Sequence, residues 1–449
     1  MDSVSRFREE AAPRRPYDGR LLEAAIRDFL FDIPTVTERL GNGLTVVVAP
    51  QPGVPVVTVD VTYDVGSRVE PPGKTGFAHL FEHLMFEGSE NVGKGEHFRR
   101  VAEAGGVMNG TTSEDRTNYF ETLPSENLDL GLFLEADRMR ALVLTQEKLD
   151  NQRLAVKEEK RLRIDNEPYA SSFEAVDALA FDCFAYRHPV IGSMEDLDAA
   201  SLEDAAEFYR RYYAPGNALL CLAGDLDPKE AFESARRTFG AVPAREVAPH
   251  FEISEPVQEG ERRAERTDPL AALPALHVVF KAPPRRHPDL LGLSYAEKIL
   301  GGGESSRLWR RLVKDEEKAL SLSLSLDERR GPSLFRVFSV LRPGIGLAEL
   351  EGDIRRGLEA FAAEGPTAVE MARAKRMILS SAVRATQTTQ AVAFLLSEYG
   401  LYDRDADLWQ EDFAALLDVT AAEVRDAAAR TFLPLRTTVV TVVPEESEG

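Results

Sequence analysis

Two of the seven histidines lie four residues apart in the segment His79-Leu-Phe-Glu82-His83, a spacing that could hold a metal ion. Apolar residues around them recur every three or four positions, which predicts a helix that begins after Gly76. At about 100° per residue, His83 lies about 40° from His79 and Glu82 about 60° to the other side. All three side chains therefore share one face. Two imidazoles on such a face can bind one zinc ion while the glutamate reaches water on it, as in the inverted HxxEH motif.

A third ligand must come from elsewhere, because zinc in a hydrolase commonly takes three protein ligands. The helical stretch 151–163 offers Glu158 and Glu159, whose side chains point about 100° apart. At most one of them would face the histidines, and periodicity alone does not choose between them. In the simpler alternative, these glutamates and the two histidines are solvated groups on amphipathic helices.

Segments on both sides of these residues supply the elements that must position them. Residues 43–65 contain two β-rich runs separated by Pro and Gly, which predicts a hairpin-like start. Helical periodicity continues at 98–104, 125–140 and 146–164. The apolar run at 219–222 predicts a strand that closes this unit.

The same plan begins again in the second half of the chain. A strand-like run at 276–280 leads into a helical segment, and the run at 437–443 resembles the closing strand of the first half. Laid on the first half, Ser294-Tyr-Ala-Glu297-Lys298 falls opposite the segment with the histidines. We therefore predict an α+β fold of two similar halves, of which only the first carries the metal-binding histidines.

The predicted domain organisation follows from this repeat and from the proline-rich, charged stretch between the two halves. Residues 1–34 are an N-terminal extension, and residues 35–240 are an α+β domain with the metal site. Residues 241–274 are a linker, and residues 275–449 are a second α+β domain without metal.

Composition excludes several classes of partner. The 449 residues include 75 acidic and 54 basic side chains, a net charge of −21 that repels nucleic acids and anionic membranes. Cys183 and Cys221 are the only cysteines, so a disulfide framework and a cysteine-built zinc site are both excluded. Residues 1–32 lack an apolar signal region, and the longest apolar runs are strand-sized, so we expect a cytoplasmic protein.

The segment with the histidines belongs to a longer ordered series. This series resembles the pitrilysin/insulinase-type zinc peptidases, an inverted-zincin family that includes mitochondrial processing peptidase and bacterial peptidases similar to it. The resemblance covers essentially all of 35–240 and, more loosely, 275–345. The segments that carry it are, in order, GSRVEPPGKTGFAHLFEHLMFEGSENV, AGGVMNGTTSEDRTNYFETLP, LFLEADRM, NQRLAVKEEKRLRIDNEPY, YRHPVIGSMEDL and FYRRYYAPGNALLCLAGDLDP.

This resemblance implies a clam-like fold of two homologous halves, each a mostly antiparallel sheet with helices packed on it. It also implies a zinc-dependent peptidase in which Glu159 is the third ligand beside His79 and His83. Glu82 would be the general base that removes a proton from zinc-bound water, which then attacks the peptide carbonyl. Substrates would be short or unfolded polypeptides that fit an enclosed cavity.

The resemblance further implies that the peptide binds as an added strand along residues 105–113. Asn109 and the backbone of Gly110 would hold it, although Asn109 also fits a turn residue beside a glycine. The family's usual residue after this asparagine is alanine, so Gly110 is a departure. Gln152 is another, because many relatives have a glutamate seven residues before the third ligand; the amide could still make a hydrogen bond near the site.

A further departure concerns the second half, where active relatives supply an arginine–tyrosine pair that helps to hold the substrate carbonyl. No tyrosine lies between Tyr295 and Tyr399, so neither Arg336 nor Arg342 can be assigned to that pair. The resemblance therefore implies the zinc-bearing subunit of a heterodimer whose other chain is related, lacks HxxEH and donates the pair. A homodimer is also possible.

Two other functions stay open at this stage. One is a non-catalytic structural or peptide-binding subunit of a peptidase-like complex, which the absent arginine–tyrosine pair favours and the intact zinc ligands oppose. The other is a peptidase that processes one specific precursor. His188, which precedes Pro189 in a loop-like segment, is predicted to be structural and not a ligand.

Overall fold

The computed structural model describes residues 33–247 and 253–445. Eleven strands lie in these ranges and form two sheets. The strands are β1 (Val36–Arg39), β2 (Thr45–Pro50), β3 (Val56–Tyr63), β4 (Val107–Thr112), β5 (Thr117–Pro124), β6 (Ala218–Gly224), β7 (Arg262–Asp268), β8 (Ala275–Ala282), β9 (Ala319–Asp327), β10 (Ser333–Leu341) and β11 (Thr437–Pro444).

Helices connect and cover these strands. They are α1 (Phe77–Leu84), α2 (Glu96–Glu103), α3 (Leu128–Ala141), α4 (Gln146–Lys160), α5 (Ala170–Ala180), α6 (Phe184–Arg187), α7 (Met194–Ala199), α8 (Leu202–Tyr212), α9 (Pro228–Phe239), α10 (Pro288–Gly301), α11 (Arg307–Trp309), α12 (Leu347–Glu364), α13 (Ala368–Ala385), α14 (Thr389–Tyr402), α15 (Trp409–Asp418) and α16 (Ala421–Thr431). Two of them, α4 and α11, continue as π-helical turns at Arg161–Asp165 and Arg310–Asp315.

The first sheet has the strand order β1-β2-β6-β3-β5-β4, with β2 and β6 parallel and the other neighbours antiparallel. The hairpin predicted over 43–65 is therefore wrong, because β6 lies between β2 and β3. Every residue of β6 is buried. A strand that is apolar on both faces buries the most apolar surface in the middle of a sheet. Strand β6 therefore lies in the middle and separates β2 from β3, which are adjacent in sequence.

The second sheet repeats this arrangement with the order β7-β11-β8-β10-β9. Its one parallel pair, β7 with β11, corresponds to β2 with β6, and the remaining pairs are antiparallel in both sheets. Only β1 has no counterpart among the described strands. The predicted α+β fold of two similar halves is confirmed.

Strand β7 lies inside the stretch 241–274 that the sequence predicts as a linker. Its residues, RRAERTD, are mostly exposed or half-buried, because β7 is an edge strand with a neighbour on one side only. An edge strand tolerates charged side chains. Because β7 is highly charged, a search for apolar runs does not predict it as a strand. The predicted linker therefore includes the first strand of the second sheet.

Each sheet is also covered by a helix from the other half of the chain. Helix α14 packs on β3 and β6 of the first sheet, where the Ser397 hydroxyl donates to Asp60 at 2.5 Å. Helix α5 packs on the second sheet, where Ser172 and His277 are hydrogen-bonded at 2.7 Å. These exchanged helices join the two halves through buried contacts.

Parts of the predicted extension and linker lie outside the described residues, namely 1–32 and 248–252, as do residues 446–449. Among the described residues, no helix is both long enough and apolar enough to cross a membrane.

Candidate metal centre and peptide-binding edge

Helix α1 carries the histidines, and a buried carboxylate fixes its first turn. Glu70 accepts the backbone N–H of Gly76 at 2.9 Å and of Ala78 at 2.6 Å, which satisfies donors that a helix N-terminus leaves free. Gly76 has φ of +82°, and a Cβ there would lie 2.5 Å from the carbonyl oxygen of Ile191. Glycine is therefore required where the chain enters α1. The apolar face of α1 packs into the core and leaves the histidines on the other side.

Helix α4 brings a glutamate to these histidines. Glu159 Oε2 lies 3.7 Å from His79 Nε2 and 3.3 Å from His83 Nε2. Glu158 instead pairs with Arg161 at 3.1 Å and is 58% exposed. The fold therefore places Glu159, the glutamate that the resemblance implied, next to the two histidines. Periodicity alone did not choose between Glu158 and Glu159. Among the described residues, His79, His83 and Glu159 are the one group of three or more His, Cys, Asp or Glu side chains whose donor atoms lie close enough together to hold a metal ion.

The geometry and chemistry of these three donors fit zinc. Zinc binds imidazole nitrogen and carboxylate oxygen at about 2.0–2.2 Å, so neighbouring ligands of a tetrahedral site lie about 3.3–3.6 Å apart. The two measured separations are close to this range. Burial, together with the neighbouring His83, lowers the pKa of His79 to about 4, so its imidazole is neutral at pH 7 and can donate a lone pair.

Gln152 lies on α4 about two turns before Glu159, and it orients His83. Its Oε1 lies 3.3 Å from His83 Nδ1, and its Nε2 donates to Glu87 Oε1 at 2.7 Å. Glu87 in turn pairs with Lys94 at 2.8 Å. Because an amide oxygen can only accept, the hydrogen bond places the imidazole proton on Nδ1 and leaves Nε2 of His83 for a metal.

Glu82 lies on the same helix in a more buried position, 9% exposed. Its Oε2 accepts the hydroxyl of Thr112, a residue of β4, at 2.5 Å. Burial raises the pKa of Glu82 above the usual value for a glutamate, while the Thr112 hydrogen bond lowers it. The carboxyl group therefore sits in a partly desolvated place suited to proton transfer.

Strand β4, which contains Asn109 and Gly110, is the edge strand of the first sheet next to α1. Asn109 is exposed, and its Oδ1 accepts the N–H of Gly110 at 2.9 Å. Gly110 is buried: a Cβ there would lie 3.1 Å from Glu82 Cγ and 3.2 Å from Phe86. The glycine therefore lets β4 approach α1 closely, a packing role that the sequence reading did not include.

Three functional neighbours were missed by the sequence reading: Glu70, Glu87 and Thr112. Thr112 had a signal, because it alternates with Gly110 along the strand and must face the same side. Glu70 and Glu87 had none, because their contacts depend on how loops fold back against α1 and α4. His188 Nδ1 lies 3.6 Å from Glu70 Oε2, outside the group of possible ligands, and its structural role stays a prediction.

The second half has no comparable donors at the matching position. Glu297 and Lys298 on α10 form an ion pair at 2.8 Å. Arg336 is held by Asp177 and Asp327, each at 2.7 Å, so its guanidinium is engaged within the chain. No tyrosine lies between Tyr295 and Tyr399, so Arg336 has no tyrosine partner from that interval.

Two family models match consecutive parts of the chain. The first, described as insulinase (peptidase family M16), matches residues 45–193, and the second, the peptidase M16 inactive domain, matches residues 199–378. A zinc protease of Helicobacter pylori, PqqE, is 30% identical over 409 residues, which are 90% of this chain and 92% of the relative. The chain belongs to peptidase family M16. The resemblance to the pitrilysin/insulinase-type peptidases is thereby confirmed.

The chain is also similar to a further relative and to solved structures. The beta subunit of mitochondrial-processing peptidase from Blastocladiella emersonii is 28% identical over 49% of each chain. The crystal structure of a Helicobacter pylori protease has a TM-score of 0.88 at 30% identity and covers 92% of this chain and all of the other. A Pseudomonas fluorescens structure, titled peptidase M16 inactive domain, has a TM-score of 0.83 at 17% identity, covers 93% and 99% of the chains, and supports the fold alone.

Proposed function

We propose that this M16 chain is a zinc-dependent metallopeptidase that hydrolyses peptide bonds of short or unfolded polypeptides. The observation that carries the proposal is the arrangement of His79, His83 and Glu159 around one point, with Glu82 on the same helix face. Relatives named zinc proteases support the choice of metal. Zinc bound there would supply Lewis-acid polarisation of the scissile carbonyl.

Glu82 moves the proton in this proposal. Thr112 occupies Oε2 of Glu82, so we assign proton transfer to Oε1, which takes a proton from the attacking water. The raised pKa of the carboxyl group brings it nearer to neutrality, which favours both accepting that proton and passing it to the leaving amine. Gln152 keeps Nε2 of His83 unprotonated for its role as a ligand.

The free edge of β4 binds the substrate. An extended peptide can pair with this edge strand through backbone hydrogen bonds, as in other cases of strand addition. Pairing at Asn109 and Gly110 would bring a peptide bond beside Glu82, because Gly110 is in close contact with that glutamate. Asn109, which is exposed, is free to exchange its local hydrogen bond for one to the peptide.

The active species in this proposal is a heterodimer. The partner is a related chain that lacks HxxEH and donates an arginine–tyrosine pair to the substrate carbonyl. The engagement of Arg336 by Asp177 and Asp327 supports this, since the chain offers no free arginine at that position. A homodimer would lack the tyrosine and hydrolyse peptides slowly.

Peptide hydrolysis by the zinc-loaded chain, alone and mixed with such a related chain, tests the proposal. We expect slow hydrolysis by the chain alone and an increase of about a hundredfold or more in the mixture, the usual contribution of one oxyanion donor. Glu82→Gln should abolish activity in both samples. Activity of the Glu82→Gln mixture at the wild-type rate would contradict the assigned base, and full activity without the partner would contradict the heterodimer.

A non-catalytic peptide-binding subunit is the second candidate, and the lack of the arginine–tyrosine pair favours it. In that case the mixture would bind peptides at β4 without hydrolysing them. Processing of one specific precursor is a narrower form of the main proposal. A cytoplasmic location stays a prediction; one similar solved structure is titled the periplasmic protease PqqL from Escherichia coli.

A further inference from the structure

Two tight turns, one from each half of the chain, meet next to the end of β4. The β4–β5 turn consists of residues 113–116, and the β9–β10 turn consists of residues 328–332. They occupy corresponding places, because β4 and β9 are edge strands and each pairs with the strand that follows it in the chain. The second half therefore contacts the first at the hairpin that carries the proposed peptide-binding edge.

Asp115, in the β4–β5 turn, is the centre of this contact and is only 6% exposed. Its Oδ2 accepts the backbone N–H of Arg330 at 2.9 Å, and its Oδ1 accepts the hydroxyl of Tyr186 at 2.8 Å. From the first half, the guanidinium of Arg68 donates to the backbone carbonyl of Asp115. Hydrogen bonds to an ionised carboxylate are about twice as strong as those between neutral groups, so the turn is firmly held.

The hydroxyl of Tyr186, on α6, joins the two turns directly. It donates to Asp115 and also accepts the backbone N–H of Gly331 at 2.9 Å. Burial raises the pKa of Tyr186, and the neighbouring Asp115 adds to the effect, so the hydroxyl keeps the proton that it donates. A Cβ on Gly331 would lie 2.8 Å from the ring of Tyr186, so glycine is required for this close approach.

Two arginines of the β9–β10 turn add ion pairs with the first half. Arg329, whose side chain is 3% exposed, lies 3.2 Å from Glu114 in the β4–β5 turn. Arg330 lies 2.6 Å from Asp64, the residue that follows β3. The β9–β10 turn is thus bound both to the β4–β5 turn and to the strand end beside it.

These contacts lie one step along the chain from the group that orients Glu82. Thr112 is the last residue of β4, directly before the β4–β5 turn, and its hydroxyl donates to Glu82 Oε2 at 2.5 Å. An edge strand has a neighbour on one side only, and the ends of elements open most easily. The position of the Thr112 hydroxyl therefore depends on what holds the β4–β5 turn.

We propose that the β9–β10 turn positions the general base: by holding Asp115 it fixes the end of β4, and with it the Thr112 hydroxyl that orients Glu82. This inference rests on the proposed function, since Glu82 needs such positioning as a base. Tyr186 and Asp115 are then positioning residues that act through Thr112 and do not touch the substrate. The half without metal ligands thereby contributes to catalysis in its own chain.

Amide hydrogen exchange on the full chain tests the contact between the turns. Tyr186→Phe removes the hydroxyl that joins them and keeps the ring. We expect both turns to exchange at least about tenfold faster in this variant, while exchange in β11 stays slow and reports a folded chain. Thr389→Val is the matched control, because the Thr389 and Thr58 hydroxyls join the two halves at 2.8 Å near the other end of β3, and it should leave both turns unchanged. Equal exchange of the turns in Tyr186→Phe and the wild-type chain would overturn the proposal.

Hydrolysis of a quenched fluorogenic peptide tests the effect on the base, with the zinc-loaded chain alone and in the mixture described above. We expect Tyr186→Phe to lower kcat by about ten- to a hundredfold, the effect of a small misplacement of a catalytic group. Zinc affinity and KM should change by less than about twofold, because the contacts described for the metal ligands involve neither turn. Thr112→Val should also lower kcat. Adding Tyr186→Phe to it should cause no further decrease, since both changes act through one hydrogen bond.

A wild-type kcat in Tyr186→Phe would overturn the proposal. So would a decrease that multiplies with that of Thr112→Val, because a mere loss of folded enzyme multiplies in this way. Failure of the proposed function gives a different result, in which the wild-type chain hydrolyses the peptide no faster than Glu82→Gln. The exchange rates need no activity, so in that case they still support or overturn the contact between the turns.

Discussion

At the scale of single residues, the hydrogen bond from His83 Nδ1 to Gln152 leaves Nε2 of His83 as the nitrogen available to a metal. The amide accepts from Nδ1 of His83 and donates to Glu87, so both of its ends are engaged. A carboxylate at this position could accept from His83 but could not donate to Glu87. Glutamine, in place of the glutamate of many relatives, therefore suits a position that contacts the carboxylate of Glu87.

Gln152→Ala should lower zinc affinity by about ten- to a hundredfold, the usual effect of losing a group that orients a metal ligand. Gln152→Glu should also weaken binding, because it sets a second carboxylate against Glu87. The double variant Gln152→Glu/Glu87→Gln reverses the direction of that hydrogen bond and should recover most of the affinity. Competition with a chromophoric chelator measures all three. Equal affinity in Gln152→Ala and the wild-type chain would contradict this role.

At the scale of elements, the position of α1 depends on its first turn. Glu70 is buried and accepts two backbone N–H groups there, and burial raises the pKa of its carboxyl group. Removing the carboxylate leaves those donors without an acceptor in a buried place. Each such donor costs about 1–3 kcal/mol.

Glu70→Ala should therefore lower the free energy of unfolding by about 2–5 kcal/mol, as measured by urea denaturation. It should also weaken zinc binding, since His79 and His83 lie on the helix that it anchors. Glu147→Ala is the matched control: this glutamate lies in the first turn of α4 and is exposed, so its loss should change stability by less than about 0.5 kcal/mol. Similar effects from both variants would argue against an anchoring role for Glu70.

The sequence predicts some of these elements and not others, for physical reasons. The periodicity around His79 predicts α1 because that helix is amphipathic and its pattern is local. The hairpin over 43–65 fails because strand pairing depends on β6, about 160 residues later in the chain, which is more apolar than either neighbour. Glu158 and Glu159 are adjacent on one helix, so helical periodicity does not show which of them faces the histidines. Only the resemblance or the fold identifies Glu159.

At the scale of the whole molecule, buried contacts between exchanged helices and sheets join the two halves. One is His277 in the second sheet, which hydrogen-bonds Ser172 on α5 from the first half. Burial, with a smaller effect from Arg336, lowers the pKa of His277 to about 3. Its imidazole is neutral in the folded protein at any pH above that value.

This contact predicts a pH dependence of stability. The pKa of His277 falls from about 6.5 in the unfolded chain, so between about pH 3 and 6.5 the unfolded state binds more protons. The contribution of neutral His277 to the free energy of unfolding is complete above pH 6.5. It decreases as the pH falls, and at pH 5 the loss is about 2 kcal/mol. Between pH 7.5 and 5.0, the free energy of unfolding measured with urea should fall less in His277→Gln than in the wild type, because glutamine does not titrate. Parallel losses in the two proteins would contradict a buried neutral histidine.

The zinc content of two neighbouring variants tests the central claim most directly. We expect the wild-type chain and Glu158→Gln to bind about one zinc per chain with equal affinity, because Glu158 points away from the histidines and pairs with Arg161. Glu159→Gln should lose more than about a hundredfold in zinc affinity, since it removes a ligand and not only a supporting group. Full zinc occupancy in Glu159→Gln, or its loss in Glu158→Gln, would contradict a metal centre built from His79, His83 and Glu159.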